Sequence, residues 1–409
     1  MTLESSTRKL KILVQAYACE PGEGSEPGVG WYMCQAISKD NEAWVITRKN
    51  NKDAIDKELS VNPNHNLNFI YTDLPKWLSF WKKGGRGIRT YYYLWQFAAL
   101  LKARMLLKTH KFDIAHHITF VNDWLFSSFS LLPLPFIWGP IGSHPKAPAT
   151  LVHSKTDYFK DRLRYGFQSF MRTVDPLFWI CAIRSRLVIG ISKDVGNKFP
   201  LSLLSRHKYI THTAIGVEDV FEIEQHKTGK NILSIGRLVP IKAFHLTIDA
   251  FNKALQTDPE LKLTIIGKGP LKSLLIAKCE TLGIQNAVTF LDWLPRTEAL
   301  DAMNQADIFL FPSFEGGGMV VLEAMANGVP VICLDYGGPG EMARSDFCEI
   351  IAISDYNTTV NSLSKSLLTQ TACENIHKQD IQQWVADHYL WSNRYLTINS
   401  WYKTVLNQE

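Results

Sequence analysis

Two glutamates flank a glycine cluster in the last third of the chain. The stretch FPSFEGGGMVVLEAMANGVPVI places Glu315 directly before three glycines and Glu323 eight positions later. The run before Glu315 predicts a strand, and the segment around Glu323 predicts a helix that ends before Gly328. Free N–H groups at such a helix start favour an anion, and a carboxylate one turn further on can accept both hydroxyls of a ribose. The segment predicts a nucleotide-sugar site, unless Glu323 is a solvated residue beside an ordinary loop.

Two cations that follow an earlier predicted strand are candidates to pair with that anion. In NILSIGRLVPIKAFHLTIDAF the strand ends at Gly236, Arg237 follows in the turn, and Lys242 opens the next helix. An arginine fork and a lysine point charge both suit phosphate oxygens. The pattern predicts that Arg237 and Lys242 bind a diphosphate, although two surface cations after a glycine are also common.

A glycine-rich turn and a pair of histidines are further candidates nearer the start of the chain. The loop CEPGEGSEPGVGW, which contains Gly28, leads from the first predicted strand into a helix, as phosphate-binding turns do. Its spacing is not G-x-G-x-x-G, and a flexible lid is the alternative. His116 and His117 end another strand. Each is either a hydrogen-bond donor to a sugar hydroxyl or to the acceptor molecule, or a histidine of the core whose hydrogen bonds are satisfied. The sequence contains no D-x-D, so we predict no metal site.

The elements that must position these residues alternate regularly along the chain. Its 409 residues are more than one ordinary core accommodates, which indicates two domains. Short apolar runs alternate with amphipathic stretches in two series, which predicts two doubly wound parallel sheets with a cleft between them. We place the domains at residues 1–200 and 201–387. The aromatic-rich segment 388–409 is predicted to be a helix that packs back on the first domain, or else on its own domain.

Composition restricts the class of protein. The net charge of +5 favours anionic ligands but is too small to indicate nucleic-acid binding. Seven scattered cysteines argue against a disulfide framework, and the first residues lack the apolar core of a signal peptide, so we expect a cytoplasmic protein. The uncharged stretch Trp124–Gly142 is long enough to raise the question of a membrane span, but its prolines and serines predict a helix and a strand instead.

Residues 75–111 combine basic and aromatic side chains. The segment has nine Lys or Arg, eight aromatic residues and no Asp or Glu. This combination favours an anionic membrane surface, which would make the protein peripheral at the inner face of the cell membrane. The alternative is a solvated helix whose aromatic residues face the core.

Together these segments resemble the family-4 retaining glycosyltransferases of the GT-B fold, over nearly the whole chain. FPSFEGGGMVVLEAMANGVPVI matches the paired-glutamate motif of that family, and IGRLVPIK its diphosphate-binding arginine and lysine. LTIIGKGP is similar to the glycine-rich strand end of that family, and the segment around Trp293 is similar to its base-binding segment. AYACEPGEGSEPGVGW, HHITF and PFIWGPIG resemble a bacterial polysaccharide-associated branch.

The resemblance implies a role for each matching position. Glu315 would lie beside the transferred sugar and Glu323 would hold the ribose, while His116, or else His117, would contact the acceptor. Glu315, Arg237, Lys242 and His116 would then serve catalysis. The donor-binding set comprises Gly28, Arg237, Lys242, Gly267, Trp293, Leu294, Glu315, Gly317, Gly318, Met319, Val320 and Glu323.

The resemblance also implies a reaction. A sugar would move from a nucleotide-diphosphate donor, with retained anomeric configuration and without metal or other cofactor, to a saccharide or lipid-linked saccharide in cell-surface polysaccharide synthesis. Where the family often carries a bulkier residue or a proline, this chain has Gly316–Gly318, which leaves the identity of the sugar open. The alternatives are a nucleotide-sugar epimerase of GT-B fold and a non-catalytic protein that binds a membrane or a partner enzyme.

Overall fold

The computed structural model describes residues 8–82, 84, 86–199, 209–222, 229–343, 346–372 and 378–407. These residues form two compact units. The first is drawn from Met1–Gly142, Gln168–Ala214 and Trp391–Glu409, and the second from Ser143–Phe167 and Ile215–Leu390. Each unit contains one parallel sheet, so the predicted α/β class with two Rossmann-like domains is confirmed.

The sheet of the first unit has seven parallel strands in the order β3-β2-β1-β4-β5-β6-β7. Most residues of its inner strands are buried, because helices cover both faces of a parallel sheet. The strand order reverses between β1 and β4, which sit side by side at the middle of the sheet. The strands are β1 (Lys11–Ala16), β2 (Glu42–Thr47), β3 (Leu67–Tyr71), β4 (Ile114–Thr119), β5 (Phe136–Ile141), β6 (Ser185–Gly190) and β7 (Tyr209–Thr211).

The described residues up to 199 contain seven α-helices. They are α1 (Ser25–Ser38), α2 (Lys52–Val61), α3 (Lys76–Ser79), α4 (Ile88–Leu106), α5 (Lys155–Val174), α6 (Pro176–Arg184) and α7 (Lys193–Gly196). Asp175 starts α6, because its carboxylate accepts the N–H of Leu177 and Pro176 occupies the first helical position. Trp124–Gly142 contains a short 3-10 turn and β5. Within the described ranges, no helix is both long and apolar enough to cross a membrane.

The sheet of the second unit has six parallel strands in the order β10-β9-β8-β11-β12-β13. Its order reverses between β8 and β11, which are hydrogen-bonded neighbours. The strands are β8 (Asn231–Ile235), β9 (Lys262–Ile266), β10 (Val288–Leu291), β11 (Ile308–Phe311), β12 (Val331–Leu334) and β13 (Glu349–Ile351). The helices are α8 (Phe244–Leu255), α9 (Lys272–Thr281), α10 (Arg296–Asn304), α11 (Met319–Ala326), α12 (Gly337–Met342), α13 (Tyr356–Thr371) and α14 (Lys378–Tyr389).

The last helix, α15 (Trp391–Leu406), belongs to the first unit and packs against α1. The rings of Tyr32 and Trp391 stack with their centres 5.6 Å apart, and Asn41 donates to the Asn399 side chain at 2.8 Å. The first unit extends to Ala214 rather than residue 200, because β7 adds to the edge of its sheet. The segment 143–167 differs from the predicted boundaries as well, since it packs with the second unit.

Candidate functional site

Residues from the two central strands of the second sheet meet just beyond the strand ends. The loop after β8 carries Lys242, and the loop after β11 carries Glu315. The Lys242 Nζ lies 2.6 Å from the Glu315 Oε2, and both side chains are mostly buried. Ligands of open α/β sheets bind at such a switch point, beyond the carboxyl ends of the strands. The structure therefore pairs two predicted site residues where a ligand is expected.

Glu315 keeps one carboxylate oxygen without a partner. Oε2 is held by Lys242, whereas Oε1 is buried and has no hydrogen-bond partner in the described part of the chain. The backbone of Glu315 is held as well, because its N–H donates to Ser313 Oγ at 3.3 Å and its carbonyl accepts the N–H of Gly338 at 3.2 Å. Buried acceptors are normally satisfied, so Oε1 is a ready acceptor for a ligand hydroxyl.

The glycine cluster lets the loop after Glu315 pack closely against its own unit. A Cβ at Gly316 would lie 2.6 Å from the carbonyl oxygen of Ser143, and the Gly316 N–H donates to His144 Nδ1 at 3.1 Å. Gly318 precedes α11 with φ +143°, a conformation that other residues rarely adopt. Gly317, by contrast, is open enough to accept a Cβ, whose nearest neighbour would be 3.6 Å away.

Helix α11 carries the second glutamate in its second turn. Glu323 Oε1 is 3.3 Å from both Nε and Nη2 of Arg296, and the same guanidinium donates from Nη1 to Glu218 at 2.7 Å. Burial raises the pKa of the Glu323 carboxyl, and Arg296 opposes that shift. Met319 and Val320, in the first turn of the helix, remain partly exposed. The glutamate predicted to hold the ribose is thus oriented by a cation that the sequence argument did not name.

The remaining donor-side residues follow the three neighbouring strands β8, β9 and β10. Gly267 packs against the end of β8, since a Cβ there would lie 1.9 Å from the carbonyl oxygen of Gly236. Arg237 is exposed in the turn after β8. Trp293 is 67% exposed after β10, and Leu294 packs against the apolar core of the unit. All of these residues lie at the carboxyl edge of the second sheet.

The histidines of β4 differ from their predicted role. His116 is fully buried, with Nε2 2.9 Å from the carbonyl oxygen of Gly139 and Nδ1 2.9 Å from the hydroxyl of Tyr402. A carbonyl only accepts, so Nε2 carries the proton of the neutral ring and Nδ1 accepts from Tyr402. Burial lowers the pKa of His116 to about 4. The predicted donation to a sugar hydroxyl is contradicted, because the one N–H of His116 is already used.

His117 is also fully buried, on the same strand. Its Nε2 lies 3.0 Å from the hydroxyl of Tyr92, and Nδ1 has no partner among the residues that the structure describes. Burial, reinforced by His116, lowers the pKa of His117 to about 3. Both histidines are therefore neutral residues of the core.

Gly28 lies inside α1 and not in the preceding loop. A Cβ there would be 2.1 Å from the carbonyl oxygen of Glu23, so the glycine permits a close turn onto the helix. A neighbouring residue that sequence reasoning missed is Glu26, in the first turn of α1, which accepts the N–H of Val121. Burial raises the pKa of Glu26 to about 7. The sequence signal that could have identified Glu26 is the presence of an acidic residue within the glycine-rich turn.

Arg296 and His144 are the other residues that the sequence argument missed. Arg296 opens α10 and could have been found as the only cation between Trp293 and Glu315 in the printed sequence. His144 is far from the glycine cluster in sequence, and no local signal connects the two. Among the residues described, no group of three His, Cys, Asp or Glu side chains is arranged to hold a metal ion.

The two Rossmann-like units give the chain a GT-B fold, which solved structures share. The structure is similar to that of TarM, with a TM-score of 0.64 and 12% identity, over 97% of this chain and 98% of that chain. It is also similar to Anabaena HepE in complex with UDP and glucose, with a TM-score of 0.54 and 16% identity, over 96% and 98% of the two chains.

Residues 217–383 match the family model "Glycosyl transferases group 1". An uncharacterized glycosyltransferase of Methanocaldococcus jannaschii is 32% identical over 150 residues, 36% of each protein. A glycogen synthase of Mycobacterium tuberculosis is 35% identical over 123 residues, 30% of each. The chain thus spans about a third of the length of these curated relatives.

Proposed function

We propose that the protein is a retaining, metal-independent glycosyltransferase that uses a nucleotide-diphosphate sugar. The observation that carries the proposal is the ion pair of Lys242 with Glu315, which is formed between the two central strands of the second sheet. It joins a phosphate-binding cation to a carboxylate with a spare acceptor oxygen, beside the start of α11. A diphosphate and the sugar attached to it require this combination.

Each donor group has a chemical part in the proposed reaction. The ammonium group of Lys242 has three donors, so it can keep Glu315 and still contact a phosphate oxygen. Arg237 and the N–H groups at the start of α11 add to the stabilisation of the diphosphate leaving group. Glu323 accepts the ribose hydroxyls, and Glu315 Oε1 accepts a hydroxyl of the transferred sugar. Leaving-group charge is then stabilised by the chain itself.

Retention follows if the acceptor oxygen attacks on the face that the diphosphate leaves. The bond from the anomeric carbon to the phosphate oxygen breaks, the new glycosidic bond forms on the same face, and a phosphate oxygen takes the acceptor proton. Glu315 is not the nucleophile in this proposal, because the acceptor oxygen itself attacks the anomeric carbon. The UDP and glucose bound to HepE and the polymer made by glycogen synthase are consistent with such chemistry.

The direct test is to incubate the purified protein with a panel of sugar-labelled nucleotide diphosphates and saccharide acceptors. We expect transfer of label with an unchanged anomeric configuration, and we expect it to survive EDTA. A change of sugar configuration without an acceptor would instead indicate an epimerase, and a lack of both reactions would favour a binding protein. Loss of transfer on chelation, restored by magnesium or manganese, would contradict the metal-free reaction.

We also propose a peripheral association with anionic membranes, which would bring a lipid-linked acceptor within reach. Trp77 and Phe80 on and beside α3 are 72% and 78% exposed, and Phe97, Leu101 and Met105 form an exposed stripe on α4. Basic residues are interspersed with them, although Lys83 and Gly85 lie outside the described residues. Apolar and basic groups together favour an anionic interface.

Vesicles of phosphatidylglycerol test this association. The double variant Trp77→Ser/Phe80→Ser should release the protein, whereas Leu274→Ser, which removes a 51% exposed apolar side chain from α9, should not. Binding should also weaken as salt rises, because exposed charges are screened. If both variants stayed bound to the vesicles equally well, the segment 75–111 would instead be a solvated helix whose aromatic residues face the core.

A further inference from the structure

The carboxyl edge of the first sheet carries a cation that does not belong to the proposed donor site. Arg48 directly follows β2, and Asp73 follows the end of the neighbouring strand β3. The Nε of Arg48 lies 3.1 Å from Asp73 Oδ1, and Asp73 Oδ2 accepts the backbone N–H of Lys49 at 3.2 Å. Asp73 engages the Nε of Arg48, and the two terminal amino groups of the guanidinium provide four further N–H donors.

Two buried tyrosines fix the position of this guanidinium. The Arg48 Cζ is 5.1 Å from the ring centre of Tyr17 and 4.9 Å from that of Tyr91. Both rings are only 3% exposed, and the hydroxyl of Tyr91 donates to Asp73 Oδ1 at 2.6 Å. Cation–π contacts at such distances favour one orientation of the cation. The guanidinium is therefore preorganised and does not sample solvent freely.

A second cation approaches the same ring. Lys82 Nζ lies 5.2 Å from the ring centre of Tyr91 and donates to the carbonyl of Gly84 at 3.2 Å. Partial burial lowers the pKa of Lys82, Arg48 lowers it further, and Asp73 opposes both. Two cations thus face one carboxylate, and the unfavourable interaction between them is one that a bound anion would relieve.

We propose that Arg48 and Lys82 bind the phosphate of an amphiphilic acceptor, one in which the sugar is joined to an apolar chain through phosphate. The proposal rests on the acceptor side of the proposed glycosyltransferase function. A planar guanidinium and a lysine ammonium are the side chains best suited to phosphate oxygens. The exposed rings of Trp77 and Phe80 lie a few residues before Lys82, so the same segment offers contacts for an apolar chain.

Binding of small probes tests the site in the full chain. The probes are dodecyl phosphate, dodecyl glucoside and inorganic phosphate, all below the micelle concentration of the detergents, titrated by calorimetry. The variants are Arg48→Gln, Arg48→Lys and Lys82→Gln. Lys57→Gln on α2 is the matched control, because it removes an exposed lysine of the same unit. Circular dichroism checks that each variant is folded. If Arg48→Gln does not fold, the test relies on Lys82→Gln, because Lys82 is partly exposed.

We expect wild-type protein to prefer dodecyl phosphate to dodecyl glucoside by about tenfold or more, as one or two charge-assisted hydrogen bonds provide. Arg48→Gln and Lys82→Gln should abolish that preference, Arg48→Lys should retain part of it, and Lys57→Gln should leave it unchanged. Equal affinity for both detergents would overturn the phosphate site. Inorganic phosphate that bound as tightly as dodecyl phosphate would overturn its assignment to an amphiphile.

The donor function is measured separately with a nucleoside diphosphate. Neither Arg48→Gln nor Lys82→Gln should alter that affinity, because both residues belong to the first unit and the donor residues to the second. If nucleoside diphosphates failed to bind while the detergent preference held, the proposed transferase would fail and the phosphate site would stand. The reverse pattern would overturn the phosphate site alone.

Discussion

The carboxyl ends of two central strands, β4 in the first unit and β11 in the second, place their polar residues in different environments. His116 and His117 lie within β4 and are fully buried, bonded to groups of their own unit. Glu315 lies in the loop after β11, where it forms an ion pair with Lys242 and keeps one oxygen that no described residue binds. Both pairs are typical of chemistry at a strand end, but the histidines are enclosed in the core, whereas the Glu315–Lys242 pair lies beyond the strand ends.

The difference shows that the last residues of a strand and the first residues after it are distinct environments. Inside a central parallel strand, alternate side chains enter the two helix-covered layers, so both histidines are buried whichever way they point. Beyond the strand the backbone turns away, and side chains can line the edge of the sheet. A shift of two or three residues therefore decides between core and site.

The largest expected effect is the combined loss of acid stability caused by the two buried histidines. Their folded pKa values, about 4 and about 3, lie below the ordinary value, so the unfolded chain binds more protons below about pH 6.5. Their contribution to stability is complete above that pH and is lost as the pH falls toward the folded values. By pH 5 each histidine should remove about 2 kcal/mol from the free energy of unfolding.

Urea unfolding of wild type and His117→Gln between pH 8 and pH 5 measures this effect. The variant should lose less stability than wild type over that range by about 2 kcal/mol. His65→Gln, which changes an exposed histidine, is the control and should follow wild type. If His117→Gln kept the full acid sensitivity, the histidine would not be a neutral core residue.

The next effect concerns the cations of the second unit. Lys242→Ala should weaken nucleoside diphosphate binding by about a hundredfold, because one or two charge-assisted hydrogen bonds to phosphate are lost. Arg237→Ala should weaken it by about tenfold, since Arg237 is more exposed. Calorimetry with the diphosphate and the parent nucleoside separates the phosphate contribution, and Lys253→Ala near the end of α8 is the control. Equal loss of nucleoside affinity would contradict a diphosphate role.

The two glutamates should differ from each other in what they affect. Glu323→Gln should lower affinity for a ribonucleoside diphosphate by about tenfold and leave a 2′,3′-dideoxy analogue nearly unchanged, because the amide is a weaker acceptor for two hydroxyls. Glu315→Gln should spare nucleotide binding and depress sugar transfer. Titration of both variants followed by a transfer assay decides the matter. If only Glu315→Gln lost the nucleotide, the two roles would be exchanged.

The smallest expected effect is that of Arg296. Its side chain is 35% exposed and contacts Glu323 at 3.3 Å, so it orients the carboxylate without enclosing it. Arg296→Gln should weaken ribonucleoside diphosphate binding by about threefold, in line with a partly exposed ion pair. The dideoxy analogue should show no such loss. Equal loss for both ligands would mean that Arg296 contacts the nucleotide directly and does not act through Glu323.

Sequence patterns predicted the two parallel sheets because strand and helix periodicities are local. They also placed Glu315, Lys242 and Glu323 at the same edge of the second sheet, since carboxyl ends of parallel strands share an edge. They did not predict that Arg296 contacts Glu323, because that contact depends on how α10 packs against α11. Nor could the local pattern predict that Gly316 packs against the carbonyl of Ser143, a neighbour remote in sequence.

Calorimetric titration of the wild-type protein with uridine and guanosine diphosphates, and with the corresponding nucleosides, tests the central claim most directly. The claim is that the second unit binds a nucleotide-diphosphate donor at the Lys242–Glu315 ion pair. We predict that one of the diphosphates binds at least about a hundredfold more tightly than its nucleoside, and that Lys242→Ala removes most of the difference. A folded protein that bound neither diphosphate more tightly than the nucleoside would contradict the account.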